Sequence, residues 1–316
     1  MAQIRIFGYT DRLSVKTGQS LTAHISAEGT TTVQAQLVRL VHGDAHPDGP
    51  GFIERELGSP INRAWPVQRQ YTQLGNHLTV DDAAGRLACA GQAFTLYGFI
   101  WPGLPGAGRQ ALLGRWDLTA QRGAALGLNP QGQLEFWCGD GTRVDAVAAE
   151  VPLLRHLWYF VAASFDPASG LATVHQVPVL NRYNSLLGKV VPLDGRSHVQ
   201  LCLRVKPVEA AGGFLVGGAH EHNPARGGFV AQCFNGKIDR PGMLAGAATR
   251  PMIDALARGE APPQEAVLAA WDTSAGYTSQ GIGDTVVDTG PHGLHAQGIN
   301  RPVRGQTGWN WNGRDD

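Results

Sequence analysis

The chain has 316 residues, with 26 Lys+Arg against 26 Asp+Glu, 16% charged and 43% hydrophobic residues. So apolar and weakly charged a chain is not a disordered one, and zero net charge leaves no electrostatic footprint for nucleic acid or an anionic membrane. Its 42 Gly and 19 Pro point to many short strands joined by turns.

In chain order, the opening Met1–Phe7 alternates like a strand. It lacks the basic region and long apolar run of a signal peptide, so a cytoplasmic location is expected. No uninterrupted apolar run approaches the ~18 residues of a membrane span. Ser20–Ala27 and Val33–Val41 also alternate, His42–Gly51 carries turn chemistry, and Phe52–Leu57 reads as a further strand. Residues 1–60 are therefore expected to form a small immunoglobulin-like β unit, short of a full strand set and in need of a partner surface. Residues 61–74, rich in Arg, Gln and Pro, read as a linker.

From residue 75 one grammar repeats: a short apolar run, then a Gly-containing turn. The runs are 77–80, 94–101, 111–116, 124–128, 133–138, 158–165, 172–179, 199–205, 213–218 and 229–239. Such spacing predicts an all-β, two-sheet sandwich or jelly roll. The single helix candidate is Pro251–Arg258, with Pro near its start and Gly259 past its end. The cysteines, Cys89, Cys138, Cys202 and Cys233, stand far apart. That spacing suits reduced, mostly buried thiols rather than zinc or a disulfide framework.

The ordered phrases Phe94–Pro102, Ala111–Trp116, Trp158–Asp166 and Phe234-Asn235-Gly236-Lys237-Ile238-Asp239 resemble the laminin-G/concanavalin-A-like jelly roll. In that family F-x-G-x-I-D marks a late strand followed by a short helix. The family's opening strand and hairpin do not precede Leu78. Their counterparts follow instead, as Trp271-Asp272 and as Asp288 to His292-Gly293. Residues 268–316 either begin a second jelly roll or are the missing first strands, circularly permuted and completing a sandwich over 75–316. A lone strand pair would leave an apolar edge unpaired, which favours permutation.

Longer phrases extend the resemblance over essentially the whole chain: Phe7–Arg12 with Ser14-Val15 and Gly18, Leu37–Asp44, Val190–Asp194 and Gly305–Gly313. In this order they are similar to the N-terminal part of the N,N-dimethylformamidase large-subunit family. The resemblance implies an amide hydrolase whose catalytic domain, with iron held by two tyrosines and a glutamate, lies beyond the matched part. It implies no cofactor in this chain, and as partners that catalytic domain (on the same or a separate chain), a small subunit and further copies in an oligomer. The close at Arg314-Asp315-Asp316 would fit a truncated or split product.

The residues offer no catalytic set. A glucanase on this fold needs paired carboxylates, and Glu135 stands alone on its run. His42, Asp44, His46 and Asp48 suit a solvated turn better than a metal sphere. His220-Glu221-His222 lacks the helical spacing of a zinc peptidase. Trp309 and Trp311, as strand neighbours i and i+2, would share a face and could stack sugar rings. Packing against another domain is preferred, because tryptophan marks interfaces. Asn235, Gly236, Asp239, Trp271, Asp288 and His292 are expected to be structural, and no metal ligand is assigned. The expectation is a non-catalytic scaffold, inactive alone; the alternative is a stand-alone carbohydrate-binding, lectin-like module.

Overall fold

The computed structural model describes residues 3–179, 193–223, 227–279, 281–305 and 307–311. Residues 190–192, 306 and 312–316 of the phrases above lie outside them. The chain divides into two compact units, 1–72 and 73–316.

The first unit holds β1 (Arg5–Thr10), β2 (Ala23–Glu28), β3 (Thr32–Gln34), β4 (Val38–Gly43), β5 (Phe52–Glu56) and β6 (Ala64–Pro66). They form three two-stranded antiparallel ladders: β1 with β2, β3 with β6, and β4 with β5. Residues 61–72 are thus not a linker. Ala64–Pro66 takes up the free backbone groups of Thr32–Gln34, which outweighs the region's loop-like composition. Among the described residues of this unit only Ala27 and Val33 are buried apolar side chains, while Ile6, Phe7, Tyr9, Leu40 and Phe52 are each more than half exposed.

The second unit continues with β7 (His77–Val80), β8 (Phe94–Pro102), β9 (Gln110–Asp117), β10 (Arg122–Leu128), β11 (Gln133–Asp140), β12 (Val144–Pro152), β13 (Tyr159–Asp166) and β14 (Leu171–Pro178). Then come β15 (Ser197–Cys202), β16 (Phe214–Val216), β17 (Ala219–Asn223), β18 (Gly227–Ala231), β19 (Gly236–Ala245), α1 (Arg250–Ala257), β20 (Val267–Asp272), β21 (Thr285–Asp288) and β22 (Ala296–Ile299). One continuous sheet runs β12-β11-β10-β9-β16-β7-β22-β21-β20-β19-β8-β13-β14-β15, with β17 and β18 beside it. It folds over so that Glu150 N, on β12, donates to Ser197 Oγ, on β15, at 3.0 Å.

Period-two alternation builds the layers. In β8, Phe94, Leu96 and Ile100 join one core with Leu126 and Phe136 of β10 and β11. Tyr97 and Phe99 point the other way and meet Ile253 and Leu256 of α1. The helix ends where expected: Gly259 takes φ +82°, the left-handed conformation that favours glycine. β20 pairs with β19 (Met243 opposite Ala269) and β22 with β7 (Gly298 opposite Leu78). Residues 267–299 therefore lie inside the sandwich built by 77–245.

Three strands of the second unit escape the sequence reading. β12 is Ala- and acid-rich, with weak strand propensity, and forms because β11 offers it a ladder. β17 and β18 arise because Gln232, at φ +52°, breaks the expected 229–239 run. The cysteines are free: Cys89 and Cys138 buried, Cys233 half-buried and Cys202 exposed. Burial pushes the Cys89 and Cys138 thiols up to about 12.

One buried pair gives the fold a pH dependence. His175 on β14 is 3% exposed, and its Nδ1 lies 3.1 Å from Nδ1 of His198 on β15. Burial first, then the charges of His198 and Arg250, lower His175 to about 4; Asp254 opposes them. A histidine kept neutral by folding stabilises the protein above its unfolded value of 6.5, and that contribution is lost as pH falls toward 4. The unfolding free energy from urea titrations is expected to fall by about 1–2 kcal/mol between pH 7.5 and 5, and His175→Asn should flatten the slope. A wild-type profile already flat over that range would contradict this.

Candidate functional site

The F-x-G-x-I-D phrase lies at the start of β19 and organises the site. Asn235 is fixed through its backbone: its N–H donates to Gln110 Oε1 at 2.8 Å, and its carbonyl accepts from Gly103 N at 2.8 Å. A Cβ on Gly236 would collide with the Trp101 carbonyl and the Phe234 ring. Asp239 is a latch. One carboxylate oxygen accepts from Thr273 Oγ1 at 3.2 Å, and the other from Trp309 N at 3.2 Å. It thereby ties β19 to the loop after β20 and to the segment 302–311.

Trp309 stacks on Phe99 at 4.0 Å and 4°, with the Arg240 guanidinium 5.8 Å from its ring. It packs on its own sandwich. Trp311 is 38% exposed. Residues 308–311 form a turn in which Trp311 N donates to Gly308 O at 3.3 Å, so the two indoles do not share a strand face. The strand reading misses this because Gly308 turns the chain as it leaves Asp239.

Between β7, β19 and the residues 302–305 and 307–310 lies a cavity of about 410 Å³. Its floor is apolar, from Leu78, Val216, Phe234, Ile238 and Val286; its rim carries Lys237, Asp239, Arg240, Arg304 and Asn310. Arg304 is a hub: its guanidinium donates to the carbonyls of Thr273, Ala275, Ile282, Gly283 and Thr285, at 2.7–3.4 Å. No motif marks it, because its partners lie 19 to 31 positions earlier, along the single β20–β21 connection. Lys237 Nζ donates to Thr307 Oγ1 at 3.1 Å and to Thr307 O at 3.4 Å, and burial lowers its pKa.

The hairpin residues sit elsewhere in the same unit. Asp288 accepts from the backbone N–H groups of Ala270, Gly290 and Leu294 at 2.8–2.9 Å. Trp271 Nε1 donates to Leu294 O at 2.7 Å, and its ring stacks on Phe214 at 5.5 Å. His292 is exposed; the imidazole that serves the hairpin is His295, whose Nδ1 accepts from Asp288 N at 3.1 Å.

The other histidine groups are held locally. His42, Asp44 and His46 each accept a backbone N–H two residues on, at 2.9–3.4 Å. His220 and His222 lie on strand β17, not a loop, and His220 Nε2 lies 2.8 Å from Gly213 O. Glu135 faces Arg109 at 2.6 Å rather than a second carboxylate; burial raises its pKa against the pull of Arg109 and Asn129. Among the described residues, no three His, Cys, Asp or Glu side chains gather as a metal site requires, and no helix is long and apolar enough to cross a membrane.

No protein-family model matches the chain. It is 40% identical over 321 residues to the N,N-dimethylformamidase beta subunit of Paracoccus aminophilus, covering 100% of this chain and 42% of that one. It is 37% identical over 320 residues to the subunit of the same name from an Alcaligenes species, with the same coverage. The chain thus spans less than half the length of the curated relatives it matches. Two solved structures resemble it in part. A proposed carbohydrate binding protein of Bacteroides ovatus has TM-score 0.49 and 15% identity, covering 79% of this chain and 65% of that one. The CBM40 of a Ruminococcus gnavus IT-sialidase has TM-score 0.41 and 14% identity, covering 60% and 96%.

Proposed function

We propose that this chain is the β-rich, non-catalytic front part of an N,N-dimethylformamidase-like amide hydrolase. Its role is to scaffold the catalytic part and to carry contacts between subunits. The whole-length match to two subunits of that name supports the identity. The scaffolding role is carried by the first unit, whose strands leave Ile6, Phe7, Tyr9, Leu40 and Phe52 more than half exposed. Five large apolar side chains exposed in a unit with two buried ones support an interaction role for this unit. The proposed occupant is the catalytic part, on the same or a separate chain, that the matched 42% of the relatives leaves out. In the second unit Asp239, Trp271, Asp288 and Trp309 are spent on internal bonds and stacking, which suits a structural role.

The test is Phe7→Asp combined with Phe52→Asp in the assembled enzyme. Sedimentation should show the assembled species falling at least tenfold, about 1.4 kcal/mol of contact energy. The thermal transition of the sandwich should stay unchanged. Assembly at the parent level would overturn the assignment of this face.

A further inference from the structure

We infer that the cavity beside β19 binds a small organic anion, a carboxylate on a short apolar chain, with Lys237 and Arg240 as its cationic contacts. The inference goes beyond the assembly role and does not depend on it.

The charge balance of the rim leads there. Three cations, Lys237, Arg240 and Arg304, line the cavity against one carboxylate, Asp239. Arg304 is spent on five backbone carbonyls, and Asp239 on Thr273 and Trp309. Arg240 shares the charge of Asp272, and Lys237 is left over. Among the described residues neither makes an ion pair with a carboxylate. Lys237 directs protons at Thr307, and an ammonium has three to give. Arg240 lies over Trp309 at 5.8 Å, with five donors in a planar fork suited to a carboxylate. Lys237, with no carboxylate partner among the described residues, draws an anion to this wall.

Two further features point to the same place. His77 lines the cavity, 7% exposed, and its buried Nδ1 has no hydrogen-bond partner among the described residues. Burial and the nearby His220 lower its pKa, which favours the neutral ring, and its Nδ1 is a polar atom left for a ligand to satisfy. The backbone at Arg240 is also unusual. The β19–β8 register shifts between Asp239 and Gly242, so that Arg240 and Pro241 oppose the single residue Gly98. Within this bulge Arg240 takes φ +46°, which is uncommon outside glycine. Bulges and left-handed residues recur where a side chain is re-aimed at a ligand.

The floor selects the rest of the ligand. Leu78, Val216, Phe234, Ile238 and Val286 offer no polar partner to a strongly hydrated inorganic ion, but do offer contact to a short alkyl or aryl body. The volume of about 410 Å³ lies within the range of small-molecule sites.

The test is calorimetric titration of the full chain with butyrate, and with its neutral isostere butyramide. Butyrate should bind saturably at one site, and butyramide at least tenfold more weakly, in line with the strength of a charge-assisted bond. Lys237→Gln and Arg240→Gln should each weaken butyrate about tenfold, with unfolding midpoints at the parent value to show that the fold is intact. Equal binding of acid and amide, butyrate binding indifferent to both substitutions, or inorganic phosphate binding in place of butyrate would each overturn the inference. None of these readouts involves amide hydrolysis or assembly, so their failure leaves the scaffolding role standing.

Discussion

Asp288→Ala should lower the unfolding free energy by about 3–5 kcal/mol, an exceptional loss for one side chain. Asp288 is 5% exposed. Its carboxylate accepts three backbone N–H groups, from Ala270 on β20 and from Gly290 and Leu294 in the turn before β22. Alanine leaves all three donors without that acceptor, each at a cost of about 1–3 kcal/mol when buried. The total stays below the sum because the turn can open to water. Trp271 and His295 hold the same turn, through Leu294 O and Asp288 N, so losses at these positions should not be additive. Asp288→Asn keeps one acceptor oxygen and should recover part of the loss. Urea denaturation measures both, and a loss below about 1 kcal/mol for alanine would show that the hairpin is not held this way.

A chain ending at Ala266 should lose cooperative unfolding altogether. The cut removes β20, β21 and β22, and with them the ladders on one side of β19 and of β7. It also removes Val267, Ala269, Trp271, Val286 and Ala296, each at most 3% exposed. Deleting a large core side chain such as Trp271 alone costs about 3–5 kcal/mol, comparable to the whole stability of a small domain. The uncovered edges and the Phe214 face left by Trp271 are sites for aggregation. The expected products are a broad thermal transition and strong binding of a hydrophobic dye. A sharp transition within a few degrees of the parent would contradict the view that 267–299 completes this sandwich.

The legible parts of the chain were those governed by local pattern. β8 and β13 stand out as short apolar runs, 94–101 and 158–165, each bounded by turn residues, and Pro251 with Gly259 delimits the helix. Trp271 and Asp288 stood out through the order of phrases, without which they are unremarkable letters. What local pattern does not govern was missed. Whether His292 or His295 reaches Asp288 N depends on the path of a six-residue turn between Asp288 and His295. Arg304 matters because the β20–β21 connection, 19 to 31 positions earlier, presents carbonyls to it, and nothing near it in sequence says so. Trp309 and Trp311 looked like strand neighbours until Gly308 turned the chain. The 61–74 stretch looked like a linker because the pairing of Ala64–Pro66 is with residues some thirty positions earlier.

The account assigns this chain contact surfaces and internal latches, and places the amide-splitting groups elsewhere in the enzyme. The most direct measurement is dimethylamine release from N,N-dimethylformamide by the purified 316-residue chain, with its fold verified by a cooperative thermal transition. Release at the rate of the buffer alone is the predicted result. Sustained turnover by the folded chain, proportional to its concentration, would contradict the account.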